Sequence, residues 1–237
     1  MKYPYLLALA GLAVAGSTGL SQTSVPIFNN SFETPTGSST YVGFGSNNPA
    51  YVTGWTTTNA AGGDNYTVQA GAFAGQDGNQ HIEDFAFPGG GTSGGGSVYQ
   101  VEDGTKSTTA TSFGIGTYTL TAYAVPLTNN TGNSYETGDT FYIALASAPT
   151  VPIASTLITT TTNGPLTAFS VPLDNTLGTY TGAIVVGFQS PAQTTQGTME
   201  FDNFSLTFSA VPEPSSIAIA ALGSFGLLGC LLRRRLA

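Results

Sequence analysis

The sequence predicts an all-β protein whose body is an antiparallel β-sandwich of the jelly-roll kind. Three observations carry this. Between the two termini no segment keeps a helical period, while short runs alternate apolar and polar residues. Gly, Pro and Asn clusters separate those runs, as turns require. Roughly eight or more such runs are expected, which suits two packed sheets.

Both ends of the chain read as processing segments. Residues 1–20 begin MKYPYLLALAGLAVAG, with one Lys, an apolar run from Leu6 to Val14, and the small-x-small site Ala13-Val14-Ala15. That is the pattern of a secretory signal peptide, and the run is too short to span a bilayer. Residues 21–210 are the expected jelly-roll domain, long enough for one full core. Residues 211–237 form a separate tail.

Within the body the expected strands follow in order. YTVQ (66–69), QHIEDF (80–85) and SVYQVE (97–102) come first. TYTLTAYAV (117–125) puts Tyr118, Leu120, Ala122 and Ala124 on one face. FYIALA (141–146) groups Phe141, Ile143 and Leu145. GAIVVGFQ (182–189) is apolar almost throughout, as a strand in mid-sandwich should be. MEFDNFSLTF (199–208) gives Phe204, Leu206 and Phe208 one face, and strict alternation places Glu200 and Asp202 on that same core side. PGGGTSGGGS (88–97) reads as a surface loop. It lacks the Lys-Ser/Thr ending of a phosphate-binding loop.

Charge excludes one class of partner. The body holds twelve acids against a single base, Lys106, so a phosphate backbone is repelled and nucleic acid is not a partner. With so few cations, some carboxylates become candidates to hold a hard cation such as calcium. The one cysteine, Cys230, lies in the tail, so the body has neither a disulfide nor a thiolate site.

Catalysis finds little support. His81 is the only histidine and alternates with Glu83 on one face, a pairing able to move protons. No nucleophile motif accompanies it, so the body is read as non-enzymatic, with no catalytic residue. A secreted hydrolase is the weaker alternative. Trp55, the only tryptophan, reads either as a core residue or as a stacking platform for a sugar ring.

The opening IFNNSFETP (27–35), GWTT (54–57) and the closing FDNFSLTF (201–208) together resemble secreted jelly-roll modules of galactose-binding-like topology, among which are many carbohydrate-binding modules. The resemblance implies a structural calcium where the opening segment meets the last strand, with Glu33 and Asp202 as its carboxylates. The face shared by Glu200 and Asp202 agrees, because core-side carboxylates need a cation or a set of backbone N–H donors. Asp64 and Asp77 are weaker candidates and also read as turn residues.

The tail combines Val211-Pro212-Glu213-Pro214, an apolar helix-competent run from Ile217 to Leu232, and Arg233, Arg234 and Arg235. The prolines hold the first part extended. The run is short for a transmembrane helix, but arginine side chains lengthen its reach, and positive charge stays on the cytoplasmic side. This three-part ending resembles the PEP-CTERM sorting signal of exported bacterial proteins. The resemblance implies processing by an exosortase, transient anchoring in the inner membrane, and release to the cell surface or an exopolysaccharide matrix. The expected function is a surface-sorted matrix protein of the biofilm kind, with an extracellular polysaccharide as candidate ligand.

Overall fold

The computed structural model describes residues 22–33, 42–44, 54–59, 64–70, 78–86, 95–101, 112–126, 138–159, 164–191 and 197–211 of the 237-residue chain. The expected signal segment, most of the glycine-rich loop, Asp77 and the tail from Pro212 onward, including its expected helix, lie outside the described residues.

Among the described residues twelve strands form two antiparallel sheets. In the larger sheet the order is β10 (Thr167–Asn175), β7 (Gly116–Pro126), β12 (Gly197–Ala210), β5 (Gln80–Ala86), β4 (Asp64–Ala70) and β2 (Val42–Phe44), and β1 (Gln22–Val25) also pairs with β12. In the smaller sheet it is β3 (Thr56–Asn59), β6 (Gly96–Val101), β11 (Ile184–Ser190), β8 (Thr140–Leu145) and β9 (Ala148–Leu157). From β5 to β8, and again from β9 to β12, each strand lies in the other sheet from its predecessor. This alternation is the expected jelly-roll sandwich.

The core lies between the sheets. On β7, Tyr118, Leu120, Ala122 and Ala124 point inward, toward Phe141 and Ile143 of β8 and Val186 and Phe188 of β11. All are buried. Phe188 stacks on Phe201 at 3.9 Å between ring centres, and Phe141 meets Phe201 and Phe204 edge-on at 5.7 and 5.3 Å. Burying each such side chain is worth about 1.5–3 kcal/mol, which is what holds a body without disulfides.

Prolines mark the edges. Pro149 and Pro152 lie in β9 and Pro172 in β10, the outermost strands of their sheets on one side. An edge strand tolerates proline because its outer N–H groups have no ladder partner.

One expectation about β12 is overturned. Met199 and Phe201 belong to the core, and so do Phe204 and Leu206. Strict alternation cannot bring 201 and 204 to one face. The register shifts between Asp202 and Ser205, and Asn203 takes a left-handed φ of 55°. This β-bulge adds one residue and resets the face. Glu200 and Asp202 therefore project from the sheet face opposite the core side of Phe204 and Leu206. The bulge falls where β12 exchanges one neighbour for another: β5 pairs with 197–201, β1 with 206–209. Between them the Phe204 N–H donates to the Asn30 carbonyl at 2.9 Å.

Candidate functional site

On its outer face the larger sheet carries a buried polar cluster. Glu200 stands opposite Glu83 in the β12–β5 ladder, and continuing that register brings Asp202 level with His81. His81, Glu83, Glu200 and Asp202 are 1, 4, 1 and 0% exposed. The His81 Nε2 is ion-paired with the Glu200 Oε2. On the far side of β12, Val125 and Tyr123 of β7 are the partners of Glu200 and Asp202, while Gln69 and Thr67 of β4 stand opposite His81 and Glu83. Burial pushes the Glu200 carboxyl above its ordinary value, against the lowering pull of the His81 hydrogen bond and charge. Alternation puts His81 and Glu83 on one face but leaves the Glu200 pairing unread, because it says nothing about register between strands 119 positions apart.

Glu33 is anchored at the turn that opens β5, a turn next to His81 in sequence. Its Oε1 accepts the backbone N–H groups of Asn79 and Gln80, each at 2.7 Å. The turn approaches closely because Gly78 adopts a φ of 84° and a Cβ there would collide with the Glu33 carboxylate. Backbone donors thus satisfy one oxygen of the Glu33 carboxylate. Asp202 belongs to the outer cluster. Among the described residues no group of three or more His, Cys, Asp or Glu side chains converges on one point as a metal site.

Trp55 is core rather than platform. It is 3% exposed and packs on Phe32 at 4.9 Å and Phe204 at 5.0 Å, and its Nε1 donates to the Asn29 carbonyl at 3.1 Å. Neither ring face is open to a sugar. A concave surface lies at the bulge, with Phe204 in its lining. It is an open cleft of about 290 Å³ with Ser24, Asn30, Asn203 and Ser205 among its lining residues.

The tail leaves from one end of the sandwich. Asn175, Gly116 and Ala210 form a rung across β10, β7 and β12. Just beyond it the Val211 N–H donates to the Ile115 carbonyl at 3.3 Å. The neighbouring turn after β10 is fixed by Asn175, buried at 1% exposure, whose side chain donates to the Gly114 and Tyr180 carbonyls and accepts the Tyr180 N–H. Hydrogen bonds from the Thr176 side chain and N–H hold the exposed Asp174 carboxyl below its ordinary value. Gln22, where β1 begins, pairs with Ser209, so both ends of the described body lie together at this end.

Comparison with solved structures confirms the fold class. A cyclase from Fischerella sp., in its apo form, is 17% identical, with a TM-score of 0.59 over 81% of this chain and 99% of that one. An adhesin domain of Lys-gingipain from Porphyromonas gingivalis is 15% identical, with a TM-score of 0.43 over 79% and 99%. The xylan-binding CBM22-1 domain of Xyn10C from Paenibacillus barcinonensis is 9% identical, with a TM-score of 0.40 over 67% and 88%. At such identity the likeness to the cyclase is one of fold alone. A search of curated proteins finds no match. At the other end of the chain the match is local. The PEP-CTERM protein-sorting motif aligns with residues 210–235, starting on the last residue of β12. The chain thus carries a PEP-CTERM sorting motif directly behind a jelly-roll β-sandwich.

Proposed function

We propose that this is an exported protein whose sandwich is delivered to the cell surface or the extracellular matrix, its tail being recognised and removed by an exosortase. The observation that carries the reading is the sorting motif at 210–235, placed where the last strand ends. The arrangement suits processing. Val211 is still bonded to the body, and Pro212 follows it directly in sequence. The reading places the protein in the inner membrane only until the tail is cut.

The sandwich itself is read as a non-enzymatic matrix component that contacts extracellular polysaccharide. The bulge cleft supports this, since Ser24, Asn30, Asn203 and Ser205 offer the amides and hydroxyls that pair with sugar hydroxyls. The deep burial of His81 and Glu200 counts against a hydrolase, because a polymer must reach a catalytic pair to be cut.

The test is processing in the producing cell. Replacing Pro212, Glu213 and Pro214 by Ala should leave a longer, membrane-retained chain, while the natural chain is shortened and released. Equal processing of both chains overturns the sorting reading. For the ligand, Asn203→Ala should weaken retention on the producer's own exopolysaccharide. Unchanged retention removes the cleft from the proposal.

A further inference from the structure

The end of the sandwich from which the tail departs carries exposed apolar side chains contributed by three separate segments. Ile115, just before β7, is 57% exposed, Leu177, in the turn after β10, is 90% exposed, and Val211, just after β12, is 40% exposed. They are neighbours. The Val211 N–H bonds the Ile115 carbonyl, and a Cβ on Gly178 would lie 3.4 Å from the Ile115 side chain. Side chains of this size so far out of the core are costly to leave in water, and a patch of them marks a surface that is covered part of the time.

We propose that this end is a membrane-contacting face, which rests against the lipid surface while the tail is inserted. Two features of the chain specify that occupant. The apolar run begins at Ile217, six residues after Val211. Six residues reach at most about 20 Å even when fully extended, so an inserted tail holds this end close to the headgroups. The start of β1, which follows the expected signal segment, lies at the same end beside β12. Strand neighbours are about 4.8 Å apart, so both apolar segments tether one face of the body during export. The contact is apolar rather than electrostatic, because the described residues contain no Lys or Arg to attract anionic lipid. Its consequence is orientation: the sandwich stands on the bilayer by its Ile115–Leu177–Val211 end.

The proposal rests on the tail being membrane-inserted, as the sorting reading requires, and the experiment separates the two. The full chain is reconstituted in phosphatidylcholine vesicles with a polarity-sensitive dye on a single cysteine. One sample carries it on the native Cys230. Two others combine Cys230→Ser with Leu177→Cys or with Thr167→Cys. Thr167 is exposed and lies eight positions along β10 from Asn175, about 26 Å away. The expected result is blue-shifted emission at 230 and 177 but not at 167, with the shift at 177 abolished by Ile115→Asp. A shift at 230 with emission at 177 as water-like as at 167 overturns the proposal and leaves the sorting reading standing. No shift at 230 overturns both. A shift at 177 that grows with protein concentration in the absence of vesicles identifies a second copy as the occupant and also overturns it.

Discussion

His81 on β5 and Glu200 on β12 are ion-paired across the larger sheet, each with 1% of its surface exposed. They lie on the outer face, away from the aromatic core, with Glu83 and Asp202 beside them. Burying ionisable groups this far is costly, and the cost depends on pH.

The sign follows from Glu200. Its folded-state pKa is raised by burial above the ordinary 4.5. The folded state therefore favours the protonated acid, and the associated stability is complete below pH 4.5 and lost as pH rises through the folded value. Urea unfolding at a series of pH values should show natural-chain stability falling over that range relative to Glu200→Gln, which stays uncharged. Parallel profiles for the two chains would remove this assignment.

Glu33 is compensated by the Asn79 and Gln80 N–H groups. Glu33→Ala should therefore cost about 1–3 kcal/mol, by leaving two backbone donors without their acceptor. The calcium expectation is tested by the melting temperature in calcium and in chelator, and the absence of a shift removes it. A rise of several degrees in calcium would show that the folded chain binds an ion, since a native-state ligand stabilises by mass action.

Asn175 serves three backbone groups on two segments while buried. Asn175→Ala strands all three, and an expected loss of about 2–4 kcal/mol follows. Asp174→Ala, one residue away and exposed, is the contrasting control. Comparable losses in thermal unfolding would show that the Asn175 bonds are not what fixes the turn.

Trp55 is a built-in reporter because it is the only tryptophan. Packed between Phe32 and Phe204, it should emit at short wavelength and resist quenching by iodide until the chain unfolds. Trp55→Ala should cost about 3–5 kcal/mol, as for other large aromatics removed from a core. Loss of glycan retention in a still-folded Trp55→Phe chain would return the indole to the binding surface.

Local pattern made much of this fold legible. The inward faces of β7 and β8 follow directly from alternation in TYTLTAYAV and FYIALA, since a side-chain period of two is intrinsic to a strand. β10 had the same signal in Phe169, Val171 and Leu173 but is interrupted by Pro172, which only an edge position makes acceptable. β9 alternates poorly because much of it is exposed. β12 misled in one respect. Its alternation is real on both sides of Asn203, but the bulge between them depends on a change of strand partner that no local pattern records.

What the sequence determined by itself was the all-β class, the inward residues of the regular strands, the acidic body and the sorting motif at 210–235. Each depends on residue type and near-neighbour spacing. Tertiary structure alone decided which carboxylates meet. It set Glu33 on the Gly78–Gln80 turn, joined Glu200 to His81, buried Trp55 against Phe204, and gathered Ile115, Leu177 and Val211 where the tail departs. Those contacts are made between distant strands, so register and packing choose them, and neither is written in any single stretch of chain.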